Sequence, residues 1–167
     1  MNLEGKMRIA IASLMLASAC VYADDRGAAN GCSNATLKGA YGFTVTGTRP
    51  TGPPPAPLEQ FVGFAITLFD GEGGLTQPVG SSHGSIASDS PADTGSGTYS
   101  LNADCSGTMT LNITSRTPAV LLELWIVVVD GGKQIHTVVR TPAPNGTPFP
   151  ASNLTTSHGM RIGSSDE

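Results

Sequence analysis

The stretch Val120-Leu121-Leu122-Glu123-Leu124-Trp125-Ile126-Val127-Val128-Val129-Asp130-Gly131-Gly132-Lys133-Gln134-Ile135-His136-Thr137-Val138-Val139-Arg140 decides the fold class. A β-branched and aromatic run meets a Gly-Gly turn, and a second run of the same character leaves it. That order reads as a β-hairpin. With Gly131-Gly132 as the loop, Val128 opposes Ile135, Ile126 opposes Thr137 and Leu124 opposes Val139. Together with Leu122 these make an almost wholly apolar face, expected in the core. The other face pairs Val127 with His136, Trp125 with Val138, and Glu123 with Arg140. A slip of one residue would exchange the two faces, so their assignment rests on that loop.

Outward from this hairpin the same grammar repeats. Leu37 to Thr48 alternates, with Leu37, Tyr41, Phe43 and Val45 on one face. The Pro-rich stretch 50–57 removes backbone donors and is expected to be an extended loop. Phe61 to Phe69 places Val62, Phe64, Ile66 and Leu68 on one face, and Asp70-Gly71-Glu72-Gly73-Gly74 turns the chain. Gly97 to Ala103 and Thr108 to Thr114 alternate about the hairpin loop Asp104-Cys105-Ser106-Gly107. The segment Ser81 to Pro91 is Ser/Gly-rich and carries the weakest pattern. From about Thr141 the chain becomes Pro-rich and then polar, with one short strand near His158 to Ile162. These signals predict an all-β chain of about seven to nine strands joined as an antiparallel meander. Closure into a small barrel removes exposed edges and is the expected architecture; a two-sheet β-sandwich is the alternative.

The composition agrees. The chain has 167 residues, 13% of them charged, a net charge of −4 and no Lys/Arg cluster, which excludes a nucleic-acid module. It has no sustained helical stripe beyond the first twenty-odd residues. There, Lys6 and Arg8 precede an apolar run from Ile9 to Ala19 and the small-residue site Val21-Tyr22-Ala23. This is the pattern of a secretory signal peptide over 1–23, its apolar run of about 11 residues falling short of the roughly 20 that span a bilayer. The mature chain then begins at Asp24, with a short segment 24–31, a β domain over 32–141 and a C-terminal tail over 142–167. A secreted or periplasmic location follows. The competing reading is a lipobox, Leu16-Ala17-Ser18-Ala19-Cys20, which would lipidate Cys20 and anchor the chain; Ala17 stands where Leu is usual.

The leader also resolves an odd cysteine count. Of the 3 cysteines, Cys20 belongs to the export segment. Cys32 and Cys105 remain in a chain bound for an oxidising compartment, where pairing is favoured; two free thiols are the alternative. A disulfide across these 73 positions is worth about 4 kcal/mol by loop entropy.

Three stretches carry a family resemblance: Cys32-Ser33-Asn34-Ala35-Thr36-Leu37-Lys38-Gly39-Ala40-Tyr41-Gly42-Phe43, Phe69-Asp70-Gly71-Glu72-Gly73, and Gly97 through Thr108. A Cys ahead of a Lys-Gly-x-Tyr strand, combined with an Asp-Cys-x-Gly hairpin, resembles small secreted bacterial proteins of unknown function. These are similar in architecture to allene-oxide-cyclase-like and calycin barrels. The resemblance covers about Cys32 to Arg140, and it implies a barrel but no particular chemistry. The Pro50–Pro57 loop departs from it as an insertion, and the C-terminal tail lies outside it.

The strongest polar constellation is Glu123, His136 and Arg140, joined by Gln134 on the same face. Lining a lumen, Glu123 and His136 would be acid/base candidates and Arg140 an orienting group for a barrel-type cyclase or isomerase acting on a small apolar substrate. On a solvated wall, they would be surface residues around a modest salt bridge. His83 and His158 lie apart in Gly/Ser contexts, and no metal or cofactor is expected. Asp70-Gly71-Glu72-Gly73 lacks the further ligands of a calcium loop and reads as turn chemistry. Asn-x-Ser/Thr acceptors at Asn34, Asn112, Asn145 and Asn153 bear only on a eukaryotic source. The function expected is an exported, non-enzymatic binding or structural module, with a small apolar ligand or a protein partner and no transmembrane span in the mature chain. The alternatives are the cyclase/isomerase and a surface assembly or adhesive subunit whose protomers pair edge to edge.

Overall fold

The computed structural model describes residues 31–51, 55–86, 92–117, 119–140 and 154–163. The leader with Cys20, and the segment 141–153, lie outside the described residues. Within them the chain forms β1 (Lys38–Pro50), β2 (Leu58–Asp70), β3 (Gly74–Gly84), β4 (Gly95–Leu101), β5 (Ser106–Ile113), β6 (Val120–Val129), β7 (Gln134–Val139) and β8 (Leu154–Arg161). A short 3₁₀ turn, Asn34–Thr36, precedes β1, and another, Asp130–Gly132, joins β6 to β7.

Each strand pairs antiparallel with the next, and β8 pairs with both β7 and β1, closing an eight-stranded meander barrel. Closure leaves no edge strand to template further pairing. The short strand expected near His158 to Ile162 within the tail 142–167 is found as β8, over Leu154–Arg161, and it supplies the closing strand of the barrel. Only its C-terminal part shows in the sequence because β8 is rich in Thr, Ser and Gly. Its inward positions Thr155, Ser157 and Gly159 sit beside bulky neighbours and need little volume. Gly159 shows this directly, since a methyl group there would overlap the Phe43 ring.

The hairpin register expected from Gly131-Gly132 is the one found: Leu124 pairs Val139, Ile126 pairs Thr137 and Val128 pairs Ile135. Gly131 and Gly132 both have positive φ (61° and 90°), which glycine adopts without steric penalty. Leu124, Ile126, Val128, Ile135 and Thr137 are all buried. So are Leu37, Tyr41 and Phe43 on the predicted face of β1.

β2 is the instructive exception. Its apolar stripe has the expected parity, but Val62, Phe64 and Leu68 point outward, 57%, 54% and 42% exposed. The register with β1 decides this, because directly opposed residues share a face. Phe43 opposes Ala65 and Tyr41 opposes Thr67. With two large rings already inside, the inward row of β2 facing them is built from Ala65 and Thr67, with Gly63 beside them, while Val62, Phe64 and Leu68 take the outer wall.

β3 carries the irregularity that matters for the site. Its pairing with β2 shifts between Ile66 and Leu68, so that Gln77 and Pro78 stand against Thr67 alone. A bulge tolerates proline, which has no N–H for the ladder. The extra residue also resets the alternation: Leu75 and Gln77 face in before it, Gly80, Ser82 and Gly84 after it. Without the bulge, Ser82 would face out.

Candidate functional site

The inward rows change character along the barrel axis. At one end the lumen is sealed. Tyr41, Phe69 and Tyr99 stack edge to face with ring centroids 5.2 and 5.1 Å apart, beneath the fully buried Leu37. The Tyr99 hydroxyl accepts from the Gly71 N–H at 3.1 Å and lies 2.9 Å from both the Asn34 and Leu37 carbonyls. Burial raises its pKa above the ordinary phenol value, with the Asp70 charge acting in the same direction, so the hydroxyl keeps its proton. The Tyr41 hydroxyl donates to the Gly132 carbonyl and accepts from Arg161 Nε at 3.1 Å. Asn34 Oδ1 accepts from the Leu101 N–H at 2.9 Å. Cys32 and Cys105 are joined in a disulfide with Cα atoms 4.9 Å apart, as the cysteine count led us to expect. The 3₁₀ turn Asn34–Thr36 is thereby fastened across the strand ends as a plug.

Among the described residues the opposite end carries no such plug, and it is charged. Arg49 Nε binds Glu59 Oε1 at 2.8 Å, and Arg49 Nη1 donates to Ser82 Oγ at 3.0 Å. Arg116 grips Asp93 with two bonds, Nε to Oδ1 at 2.6 Å and Nη2 to Oδ2 at 2.7 Å, and Nη2 also reaches Ser82 Oγ at 3.2 Å. Ser82 is thus a bridge between two ion pairs. Glu59, Ser82 and Asp93 are all buried, at 2%, 8% and 7% exposure. Glu59 Oε2 accepts the Ile86 N–H at 3.0 Å, and its carboxylate packs so closely on Gly84 that a methyl group there would collide with it. Gln77 Nε2 donates to the Asp93 carbonyl at 2.5 Å, which ties β3 to the segment ahead of β4. The Arg49 guanidinium lies 4.8 Å from the centroid of the Phe61 ring, a cation–π contact.

Beneath this cluster is a cavity of about 130 Å³. Phe43, Val45, Met109, Leu111, Leu122 and Leu124 supply much of its apolar wall, and Arg49, Gln77, Ser82, Asp93 and Arg116 its polar rim. The arrangement is an apolar chamber with a few converging polar groups, the usual make-up of a small-molecule site.

The residues singled out from the sequence lie elsewhere. His136 is exposed on the outer wall, and Glu123, although buried, stands on the outward-facing parity of β6 with Trp125 and Val127. The Arg140 backbone N–H donates to the Glu123 carbonyl at 2.7 Å, while its guanidinium lies over the Trp125 ring at 4.5 Å. None of the three lines the lumen cavity. What the structure does bring together is His136 and His158, directly opposed on β7 and β8 with rings stacked 4.6 Å apart. His158 Nε2 hydrogen-bonds Gln134 Oε1 at 3.1 Å. Among the described residues there is no cluster of three or more His, Cys, Asp or Glu placed to hold a metal ion, and no helix long and apolar enough to cross a membrane.

Sequence patterns do not single out the rim. Arg49, Glu59, Ser82, Asp93 and Arg116 come from five separate segments, each in an unremarkable local context. The one available signal is charge itself: in a chain only 13% charged, Arg49 and Glu59 sit at inward-parity positions flanking the Pro-rich loop.

Fold and site together define a closed eight-stranded antiparallel barrel, sealed at one end and carrying a polar-rimmed apolar chamber at the other. Comparison with family models, with curated proteins and with solved structures finds no match to this chain.

Proposed function

We propose that the protein is an exported binding module that holds a small, largely apolar molecule in the barrel lumen. The cavity of about 130 Å³, largely apolar in its walls and rimmed by charged groups at one end, carries this reading. A volume near 150 Å³ accommodates a single aromatic ring, which sets the scale of the ligand. The leader-like N-terminus and the Cys32–Cys105 disulfide support export. The resemblance to small secreted bacterial barrels points the same way. A binding role is favoured over a cyclase or isomerase because Glu123, His136 and Arg140 stand outside the cavity.

The test is native mass spectrometry of protein purified from its own host, paired with a lumen-filling variant, Leu122→Trp. A co-purifying small molecule at one per chain, lost in a variant that stays folded by circular dichroism, is the expected result. Equal retention of that molecule by wild type and variant would place binding outside the lumen and overturn the proposal.

A further inference from the structure

The rim specifies more than the presence of a ligand, and this step rests on the lumen-binding reading above. The open end carries two guanidinium groups, which taken alone would advertise an anion site. Each is already matched. Arg49 is paired with Glu59 at 2.8 Å and Arg116 with Asp93 at 2.6 Å, so the four charges cancel. The two carboxylates are more deeply buried than their partners, with side chains 1% and 9% exposed against 16% and 30% for Arg49 and Arg116. An incoming carboxylate or phosphate would meet the guanidinium groups first, but each is already neutralised by a buried carboxylate at 2.8 or 2.6 Å, so the anion gains little net attraction. An incoming ammonium would meet the guanidinium groups, the more exposed members of both pairs. Either ion would also give up its hydration to enter an apolar chamber without a net countercharge, which is unfavourable.

Both guanidinium groups of the rim keep an unused donor. Arg49 spends Nε and Nη1 on Glu59 and Ser82, and Arg116 spends Nε and Nη2 on Asp93 and Ser82. One nitrogen of each guanidinium, Arg49 Nη2 and Arg116 Nη1, stays outside these bonds and can only donate. Ser82 Oγ accepts from both arginines, and its own hydrogen faces Asp93 Oδ2 at 3.4 Å. Among the described residues the charges of the rim are thus paired, and two guanidinium donors remain above a chamber about one ring in size.

We infer that the lumen ligand is an uncharged molecule of about one ring's volume whose head is a hydrogen-bond acceptor, such as a ketone, ester or amide carbonyl. The carbonyl oxygen sits at the rim, accepting from Arg49 and Arg116, and the hydrocarbon body occupies the space among Phe43, Val45, Met109 and Leu111.

Four probes of nearly equal size separate the possibilities: acetophenone (neutral acceptor), benzoate (anion), benzylamine (cation) and ethylbenzene (no polar head). Their affinities for the full mature chain are measured by calorimetry or by amide chemical-shift titration at neutral pH. Acetophenone is expected to bind at least about tenfold more tightly than each of the other three, since one charge-assisted hydrogen bond is worth about 1.5–3 kcal/mol. Its advantage over ethylbenzene should shrink several-fold in Arg116→Gln, with Arg116→Lys recovering part of it. Benzoate or benzylamine binding as well as acetophenone would overturn the neutral-head inference while leaving lumen binding intact. Ethylbenzene matching acetophenone would overturn the acceptor head alone. Failure of all four to shift lumen amides would overturn the lumen-binding reading itself.

Discussion

The two ends of this barrel are built from the same eight strands and do opposite things. At the sealed end the inward rows carry Leu37, Tyr41, Phe69 and Tyr99, a disulfide, and tyrosine hydroxyls bonded to backbone carbonyls. At the open end the corresponding rows carry glycine, serine and paired charges over a cavity. Close packing and satisfied polar groups stabilise a fold; an unfilled chamber costs stability that a ligand can return on binding. Under the proposed lumen binding, the contrast separates stability and recognition along the barrel axis. Changes at the sealed end should alter melting with little effect on lumen binding, and changes at the open end should alter both.

The largest expected effect is loss of the disulfide. Cys32→Ser with Cys105→Ser should lower unfolding free energy by about 4 kcal/mol, read by denaturant titration, with probe affinity unchanged wherever the protein remains folded. Loss of affinity in the folded double variant would break the proposed separation. Next, Arg49→Ala removes the ion-pair partner of the buried Glu59 carboxylate and should cost about 3 kcal/mol. It should also weaken acetophenone binding, which a sealed-end variant of equal destabilisation would not do. Tyr99→Phe leaves the Gly71 N–H without its acceptor and should cost about 1–2 kcal/mol, again with affinity preserved.

A smaller effect depends on pH. Asp70 Oδ1 accepts the N–H groups of Glu72, Gly73 and Gly74, which hold its carboxyl below the ordinary aspartate pKa. Asp104 is lowered likewise, first by the Ser106 hydroxyl and then by the Ser106 N–H. Because both folded values lie below the unfolded ones, their contribution is complete at neutral pH and drains away as the pH falls below about 4. The stability gap between wild type and Asp70→Ala/Asp104→Ala should therefore narrow on acidification, as followed by denaturant melts at neutral and acid pH. A gap independent of pH would show that the turns owe nothing to carboxylate charge. Smallest of all, His136→Ala should change stability by no more than about 0.5 kcal/mol and leave lumen affinity untouched, since the stacked His136–His158 pair lies on the outer wall. A change in affinity there would reopen the cyclase reading.

Much of the frame is legible in the residues themselves. Gly131-Gly132 fixes the β6–β7 register because a short glycine loop permits few pairings, and the alternation through Tyr41 and Phe43 locates one core face correctly. The Cys32–Cys105 pair follows from compartment and count. The outer wall of β2 does not follow. Alternation gives the parity of a strand but not which parity faces in, and an apolar stripe can be displaced outward when its neighbour has already filled the interior.

The chain alone therefore determined the all-β meander, its strongest hairpin and its crosslink, since turn chemistry and period-two patterning act over a few residues and Cys32 and Cys105 are the two cysteines outside the leader-like N-terminus. Only the closed tertiary structure decided that β8 completes the barrel, that the bulge at Gln77-Pro78 turns Ser82 inward, and that Arg49, Glu59, Ser82, Asp93 and Arg116 meet. Their convergence depends on the registers of successive strand pairs acting together. No local segment carries that sum.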